Sequence, residues 1–315
     1  LKNAVNLSAL EYQLLHSEYG HFLGRQINKF IESYELNHKV HLIASHGHTT
    51  FHVPAQKMTA QLGDGAAIAA VTELPVVSDL RAMDLALGGH GAPIVPIGEK
   101  LLLPEYDLLL NLGGIANISF RDSEVYVAYD ICPANRVLNI LAGKVGLEYD
   151  KDGAMASSGE VIPALLEELN EQSYYALPFP KSLANDFGTD TIYPIVERYA
   201  GSLEDKMRTY AAHIAYQVGK AAANASITSA SGNRRLLVTG GGAFNTFVVS
   251  IIRERLLQEN IELLVPEKDL VNYKEAMIMA LMGVLRWREE YNVINTVTGA
   301  SRNSIGGALW LGGEA

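Results

Sequence analysis

Sulfur chemistry is almost missing from this sequence: one cysteine, Cys132, stands among 315 residues. That excludes an internal disulfide framework and a Cys-rich zinc site, and it fits a reducing cytoplasm. No apolar run approaches the roughly 18 residues of a membrane-spanning helix. The opening segment LKNAVNLSALEYQ lacks the continuous apolar stretch of a signal peptide. Positive charge is scarce as well, with 25 Lys and Arg against 35 Asp and Glu, a formal net charge of −10 and no basic run. A polyanionic partner calls for a basic stripe, so nucleic acid is a poor fit. Nucleotide phosphates stay open, because backbone N–H groups and a divalent cation hold them without net charge. The expectation is a cytoplasmic protein that acts on small molecules, with neither membrane nor nucleic acid as partner.

What is present is an ordinary globular balance, 48% hydrophobic and 19% charged. At about 100–200 residues per domain, the length suggests two domains, or one large one. Ser8 and Glu11 have capping-box spacing, and Leu15, Tyr19, Phe22, Leu23, Ile27, Phe30 and Ile31 repeat at helical period, which predicts a helix from Ser8 to Tyr34. A short strand, His41 to Ala44, leads into the polar run SHGHTTFH, and LGDGAAIAAVTELPVVSDLR reads as turn, helix and strand. An apolar strand, Leu108 to Leu110, enters NLGGIANISF, and a second, VYVAYD, ends at Asp130. Helices follow at ALLEELNE, at Asp205 to Ser226 and at Tyr273 to Glu290, the last two separated by the strand, triple-glycine turn and helix of RRLLVTGGGAFNTFVVSIIRERL. Strands alternating with helices give an α/β class. The glycine segments NLGGIAN and VTGGGAFN lie about 130 residues apart, the scale of a domain, and suggest two walls of one cleft. The boundary is drawn so that residues 1–108 form a first α/β domain and 109–315 a second, which carries both glycine loops.

Several residues carry chemistry, each beside a plainer alternative. VTGGGAFN places Gly240, Gly241, Gly242 and Asn245 between a strand and a helix, where a backbone can approach a phosphate; a tight connection without ligand uses the same residues. Asp130, where an apolar strand opens into DICPAN, suits a partly desolvated general base, or else an N-cap for the next helix. Arg81 in SDLRAMD suits a bidentate clamp on a carboxylate or phosphate, or a surface ion pair with Asp79 or Asp84. His46, His48 and His52 cluster, and H-x-H on a strand also opens metal-hydrolase sites, with Asp64, Asp84 and His90 as further ligands; no downstream pair has ligand spacing. Glu275 at the start of KEAMIMALMGVL complements a helix dipole. Tyr174, Tyr175 and the tryptophans read as core or interface, and Cys132 has no base to activate it.

Taken together, SHGHTTFH, QLGDGAAIA, VVSDLRAMDLALGGHGAPIVP, NLGGIANIS, DICPAN, VTGGGAFN, KEAMIMAL and TGA resemble the anhydro-N-acetylmuramic acid kinase family from the first helix to the tail. The resemblance implies an actin/hexokinase-like, ribonuclease H-like fold whose two α/β domains flank an ATP cleft. It implies a kinase that uses ATP and Mg²⁺ to open and phosphorylate 1,6-anhydro-N-acetylmuramic acid in peptidoglycan recycling, as a cytoplasmic homodimer. It gives Asp130 the role of base, Arg81, Glu275 and His46 the sugar, and Asn111, Gly113, Gly114, Asn117, Gly240, Gly241, Gly242 and Asn245 the nucleotide. There are departures. The family's D-T-G-P is D-I-C-P here, and a second aspartate nine residues on is Asn139. The family's Gly/Ser-rich phosphate loop, of G-L-M-S-G-T-S-x-D-G type, precedes the segment where this sequence opens, so a truncated sequence or a degenerate member is expected. Two other functions therefore stand beside the kinase: a non-catalytic sugar- or nucleotide-binding homologue, and a His-dependent metal hydrolase.

Overall fold

The structure, a computed structural model, describes residues 1, 3–123, 125–179, 181–184, 186–225 and 234–313. By internal contacts the chain divides into two compact units, Leu1–Leu102 with Glu275–Ala315, and Leu103–Lys274. The first begins with α1 (Ala9–Ser33), β1 (Ile43–Ala44), β2 (His48–Val53), β3 (Met58–Leu62), α2 (Gly65–Thr72), β4 (Val76–Ser78), α3 (Ala82–Ala86) and α4 (Pro96–Leu102). The second holds β5 (Leu108–Leu112), β6 (Ile115–Asp122), β7 (Val125–Pro133), α5 (Asn135–Gly143), α6 (Ala154–Ser158), α7 (Pro163–Asn170), α8 (Tyr193–Arg198), α9 (Leu203–Ala223), β8 (Arg234–Thr239), α10 (Thr246–Leu257) and β9 (Ile261–Leu264). The division falls inside α11 (Lys268–Trp287), after which α12 (Asn295–Thr298) and β10 (Ala308–Trp310) complete the first unit.

In the first unit the capping box forms as the sequence predicts: the Ser8 hydroxyl accepts from the Glu11 N–H, and Glu11 accepts from the Ser8 N–H at 2.9 Å. Gly20 and Gly24 let α1 lie close to α2, since a Cβ at Gly20 would stand 2.6 Å from the Asp64 carbonyl oxygen. β4 pairs in parallel with β1 and antiparallel with β10, while β2 and β3 form a separate hairpin. The strand at β10 and the return of residues 275–315 to this unit correct the expected boundary, which gave the whole of 109–315 to the second domain. The physical cause is packing: Ile278, Met282 and Leu285 of α11 share a core with Val77, Leu80 and Ile97.

The second unit is built on a five-stranded sheet of order β7-β6-β5-β8-β9. β5, β6 and β7 form an antiparallel meander, and β8 and β9 run parallel to β5, which is the ribonuclease H-like topology. The near-continuous leucines of β5 suit a strand covered on both faces. Leu108, Leu110 and Leu112 enter the main core, and Leu109 joins Leu103 and Leu237 in a smaller one. Helix α9, capped reciprocally by Ser202 and Asp205, buries Tyr210, Ile214 and Val218 against the main core. Full burial of such side chains contributes about 1.5–3 kcal/mol each. The sequence carried α9 on to Ser226, which lies outside the described residues.

Within this core a polar chain is closed on itself. Tyr175 Oη lies 3.0 Å from His213 Nε2, and Asn170 Oδ1 lies 2.7 Å from His213 Nδ1 and accepts from Gln217 at 3.0 Å. Burial lowers the His213 pKa to about 3. An unfolded histidine takes its proton near 6.5 while the folded one does not, so stability should fall as pH drops from about 6.5 towards 3. Urea midpoints across that range check this, with a shallower acid slope expected for His213→Gln.

Candidate functional site

The first unit gathers three of the sugar candidates. Arg81 follows β4 through Leu80 and donates from Nε to His46 Nε2 at 2.8 Å and from Nη1 to the Gly91 carbonyl at 2.5 Å. Since Nε2 accepts, Nδ1 carries the proton and donates to the Gly47 carbonyl at 3.1 Å. Burial first, and then the guanidinium, hold the His46 pKa below its usual range, while Glu275 pulls it the other way. His46, His48, Glu275 and Met279 line a pocket of about 500 Å³ in this unit. Arg81 does not form the surface ion pair with Asp79 or Asp84: among the described residues, its partners are His46 and Gly91.

The loop beneath this cluster is held by Asp84, which is fully buried. Its carboxylate accepts from the Gly91 N–H at 2.7 Å and from the Thr298 hydroxyl at 2.6 Å, joining LGGHGAP to the TGA segment. Asp64 is committed too, as the N-cap of α2, accepting from the Ala66 N–H at 2.9 Å. β1 ends at Ala44 and β2 begins at His48, so His46 and His48 do not share one strand. Among the described residues no three His, Cys, Asp or Glu side chains converge on a metal-sized site. The metal-hydrolase expectation therefore lacks its ligands, because two of its acids already hold the fold. Glu275 also differs from expectation. α11 starts at Lys268, so Glu275 lies two turns inside the helix, exposed, rather than at its start.

The second unit arranges the remaining candidates in one row. Register pairs Thr239 with Asn111, Asn111 with Asn117, and Asn117 with Asp130. Directly opposed residues share a face, so four polar side chains cross β8, β5, β6 and β7 on the face away from the main core. NLGGIAN is therefore the hairpin that joins β5 to β6. Its glycine carbonyls accept from the start of α5, Gly114 from Ala134 at 2.8 Å and Gly113 from Asn135 at 3.1 Å. Both glycine segments lie in one unit on neighbouring strands, and the expected assignment to two separate walls does not hold for them. They meet closely: a Cβ at Gly240, whose φ is +82°, would stand 2.5 Å from Asn111 Oδ1, and one at Gly242 would stand 2.5 Å from Leu112 Cγ. Gly241 alone faces open space, leaving its backbone accessible to a ligand. The Asn245 side chain caps α10 by accepting from the Val248 N–H at 3.0 Å.

Asp130 is not at a strand end. β7 runs on to Pro133, and the pairing slips between Ala116 and Asn117, so that Ile131 bulges next to the carboxylate. Asp130 Oδ2 accepts from the Ser182 hydroxyl at 3.0 Å and the Leu183 N–H at 2.9 Å. Tyr174 donates its phenol to the Asp130 carbonyl at 2.6 Å. Burial raises the Asp130 pKa above the usual carboxylate value and outweighs the two bonds that lower it. The N-cap alternative fails, because α5 is capped at Ala134 without a side chain. Cys132 is wholly buried and its thiol is pushed far up by burial, which removes it as a nucleophile. The sequence pointed to neither Ser182 nor Leu183 as a partner; both come from a loop more than fifty residues downstream. Tyr174 and Tyr175 are core residues, as expected.

Comparison with known proteins identifies the family of the chain. The sequence model of the family "Anhydro-N-acetylmuramic acid kinase" matches residues 3–312. The anhydro-N-acetylmuramic acid kinase of Vibrio parahaemolyticus is 32% identical over 316 residues, 98% of this chain and 84% of that one. The protein of the same name from Streptomyces coelicolor is 35% identical over 294 residues, 87% of this chain and 71% of that one. Among solved structures, the activator of the 2-hydroxyisocaproyl-CoA dehydratase from Clostridium difficile with bound ADPNP is similar at a TM-score of 0.39, with 16% identity over 68% of each chain. The chain is a member of the anhydro-N-acetylmuramic acid kinase family.

Proposed function

We propose that the chain phosphorylates 1,6-anhydro-N-acetylmuramic acid with ATP and water, giving N-acetylmuramic acid 6-phosphate and ADP. The observation that carries the reading is the row Thr239–Asn111–Asn117–Asp130, which ends on a partly desolvated carboxylate aimed by a bulge. Asp130 takes a proton from a water whose oxygen bonds to the anomeric carbon. The carbon–oxygen bond of the anhydro bridge breaks, and the freed oxygen attacks the γ-phosphorus while ADP leaves. A raised pKa strengthens the base, and fixed donors from Ser182 and Leu183 hold its unused lone pairs. Asn111, Asn117, Gly113, Gly114 and the Gly240–Gly242 turn serve the nucleotide, with Gly241 as the open backbone position. Asn245 supports that turn as a helix cap. With no three acid or His side chains converging among the described residues, the chain offers no cage for Mg²⁺, which would be held chiefly by the phosphates and water. A cytoplasmic location, a homodimer and a place in peptidoglycan recycling belong to the same proposal. No helix among the described residues is long and apolar enough to cross a membrane.

His46, Arg81 and Glu275 bind the sugar. With Nε and Nη1 engaged, the Nη2 side of Arg81 is left for the lactyl carboxylate. Arg81→Ala should weaken sugar binding by about tenfold or more, the loss of a charged hydrogen bond, and ATP binding by less. Calorimetric titration of each ligand checks it; equal losses would make Arg81 a support of the loop at Gly91. The experiment that tests the whole reading is sugar-dependent ADP release by the full chain, with the ring-opened sugar as control. No release would leave the family member as a binding protein.

A further inference from the structure

On the other face of β7 from Asp130 lies a second pocket, of about 360 Å³, that the proposed reaction does not use. Tyr129 and Ile131 flank Asp130 in the strand and belong to the main core, whereas Asp130 faces the polar row. Residues Tyr175 to Phe179, Lys181 and the C-terminal half of α9 line its other sides. One wall is aromatic, with Tyr129 and Phe179 stacked at 5.6 Å and an interplanar angle of 5°. Phe179 is 42% exposed, an apolar ring kept at the surface where it gains little from burial. Lys181, half-buried, and Lys220 and Asn224, both exposed, line it too, and none of the lining residues is acidic.

Two ammonium groups facing one pocket repel each other, and among the described residues no carboxylate pairs with either. Among the described residues, the Lys181 ammonium donates to the Tyr174 carbonyl at 3.2 Å and lies over the faces of Tyr174 and Tyr129. Its pKa is lowered by burial and then by Lys220, so a bound anion would relieve both lysines. An aromatic wall and two cations together describe a receptor for an anion attached to a flat ring.

Lys181, which lines this pocket, opens the segment 181–183 that holds Asp130. Residue by residue, the Lys181 carbonyl accepts from the Asp130 N–H at 3.3 Å, Ser182 and Leu183 bond the carboxylate, and the Lys181 ammonium faces the pocket. Residues 181–183 thus run along the edge of β7, between the pocket and the carboxylate. We infer that the pocket is a second ligand site, for a small phosphate- or carboxylate-bearing molecule with a flat ring, and that its occupant acts on Asp130 through residues 181–183. Binding stands on the pocket alone, whereas the effect on turnover rests on Asp130 as the base.

Phenyl phosphate, benzoate and inorganic phosphate serve as probes, titrated calorimetrically into the full chain with ATP present at saturation. Phenyl phosphate or benzoate should bind at least about tenfold tighter than inorganic phosphate, and the tighter of the two identifies the anion. Lys220→Gln should weaken that binding by about tenfold and leave ATP affinity unchanged, since Lys220 is a surface residue of α9. Phe179→Ala should remove the preference for the ring. Ring probes no tighter than phosphate, or an unaltered affinity in Lys220→Gln, would overturn the site. At saturating substrates, the bound probe should move the acid limb of the pH–rate profile in the parent and not in Lys220→Gln. Tight binding with an unmoved limb would overturn the coupling. Undiminished turnover in Asp130→Asn would instead overturn the catalytic reading, while the binding result stood by itself.

Discussion

Asp130→Asn lowers turnover of the anhydro sugar by about 10²–10⁴-fold, the usual loss on removing a general base. The asparagine oxygen still accepts from the Ser182 hydroxyl and the Leu183 N–H, which now reach the carboxylate at 3.0 and 2.9 Å, so the loop keeps its anchor. The Tyr174 phenol bonds the main-chain carbonyl and is indifferent to the change. Sugar binding should therefore survive within about tenfold, because the lost function is proton abstraction and not shape. Single-turnover ADP release and sugar titration, on parent and variant, separate the two effects. Activity within a few-fold of the parent would remove Asp130 from the role of base. Burial also raises its pKa, so the acid limb of the parent's pH–rate profile should lie above the range of an ordinary aspartate.

The largest effect on stability is expected at Asp84. Asp84→Ala takes away the acceptor of the Gly91 N–H and of the Thr298 hydroxyl inside a fully buried site. Each donor left unsatisfied costs about 1–3 kcal/mol, so a total of about 2–6 kcal/mol is expected for the first unit. Thr298→Val removes one of the two bonds and should cost less than half as much. Urea midpoints give the energies, and hydrogen exchange at the Gly91 N–H locates the loss. An unchanged midpoint in Asp84→Ala would show that the loop holds without its acid. Because the Arg81 guanidinium donates to the Gly91 carbonyl, sugar affinity should decline together with stability.

Local patterns carried much of this architecture into the sequence. The capping box at Ser8 and Glu11 and the strand–glycine–helix of VTGGGAFN are short-range devices, and they appear where the residues predict them. Long-range partners were not legible. Nothing near Asp130 announces Ser182, Leu183 or the slip at Ile131, since a bulge is a property of two strands and not of one. That NLGGIAN is a hairpin between β5 and β6 was not legible from its glycines, because glycines serve turns of many kinds; the pairing of β5 with β6 reveals it. Glu275 was placed at a helix start, whereas α11 begins two turns earlier at Lys268, in a segment where exposed Asp269 and Asn272 alternate with buried Val271 and Lys274. The acids of the supposed metal site were legible as residue types only. Their hydrogen bonds, to Ala66, Gly91 and Thr298, are what reveal Asp64 and Asp84 as structural.

The division of the chain has a consequence for its synthesis. Residues Leu103–Lys274 form one unit inserted between the two pieces of the other, Leu1–Leu102 and Glu275–Ala315. A ribosome delivers the inserted unit whole, so its sheet can close while translation continues. The first unit must wait: β4 lacks its partner β10, and Asp84 lacks Thr298, until more than two hundred further residues have emerged. During that interval the edge of β4 offers unpaired N–H and C=O groups to other nascent chains. Arrest of translation before α12 should therefore yield a chain whose middle resists protease and whose beginning does not.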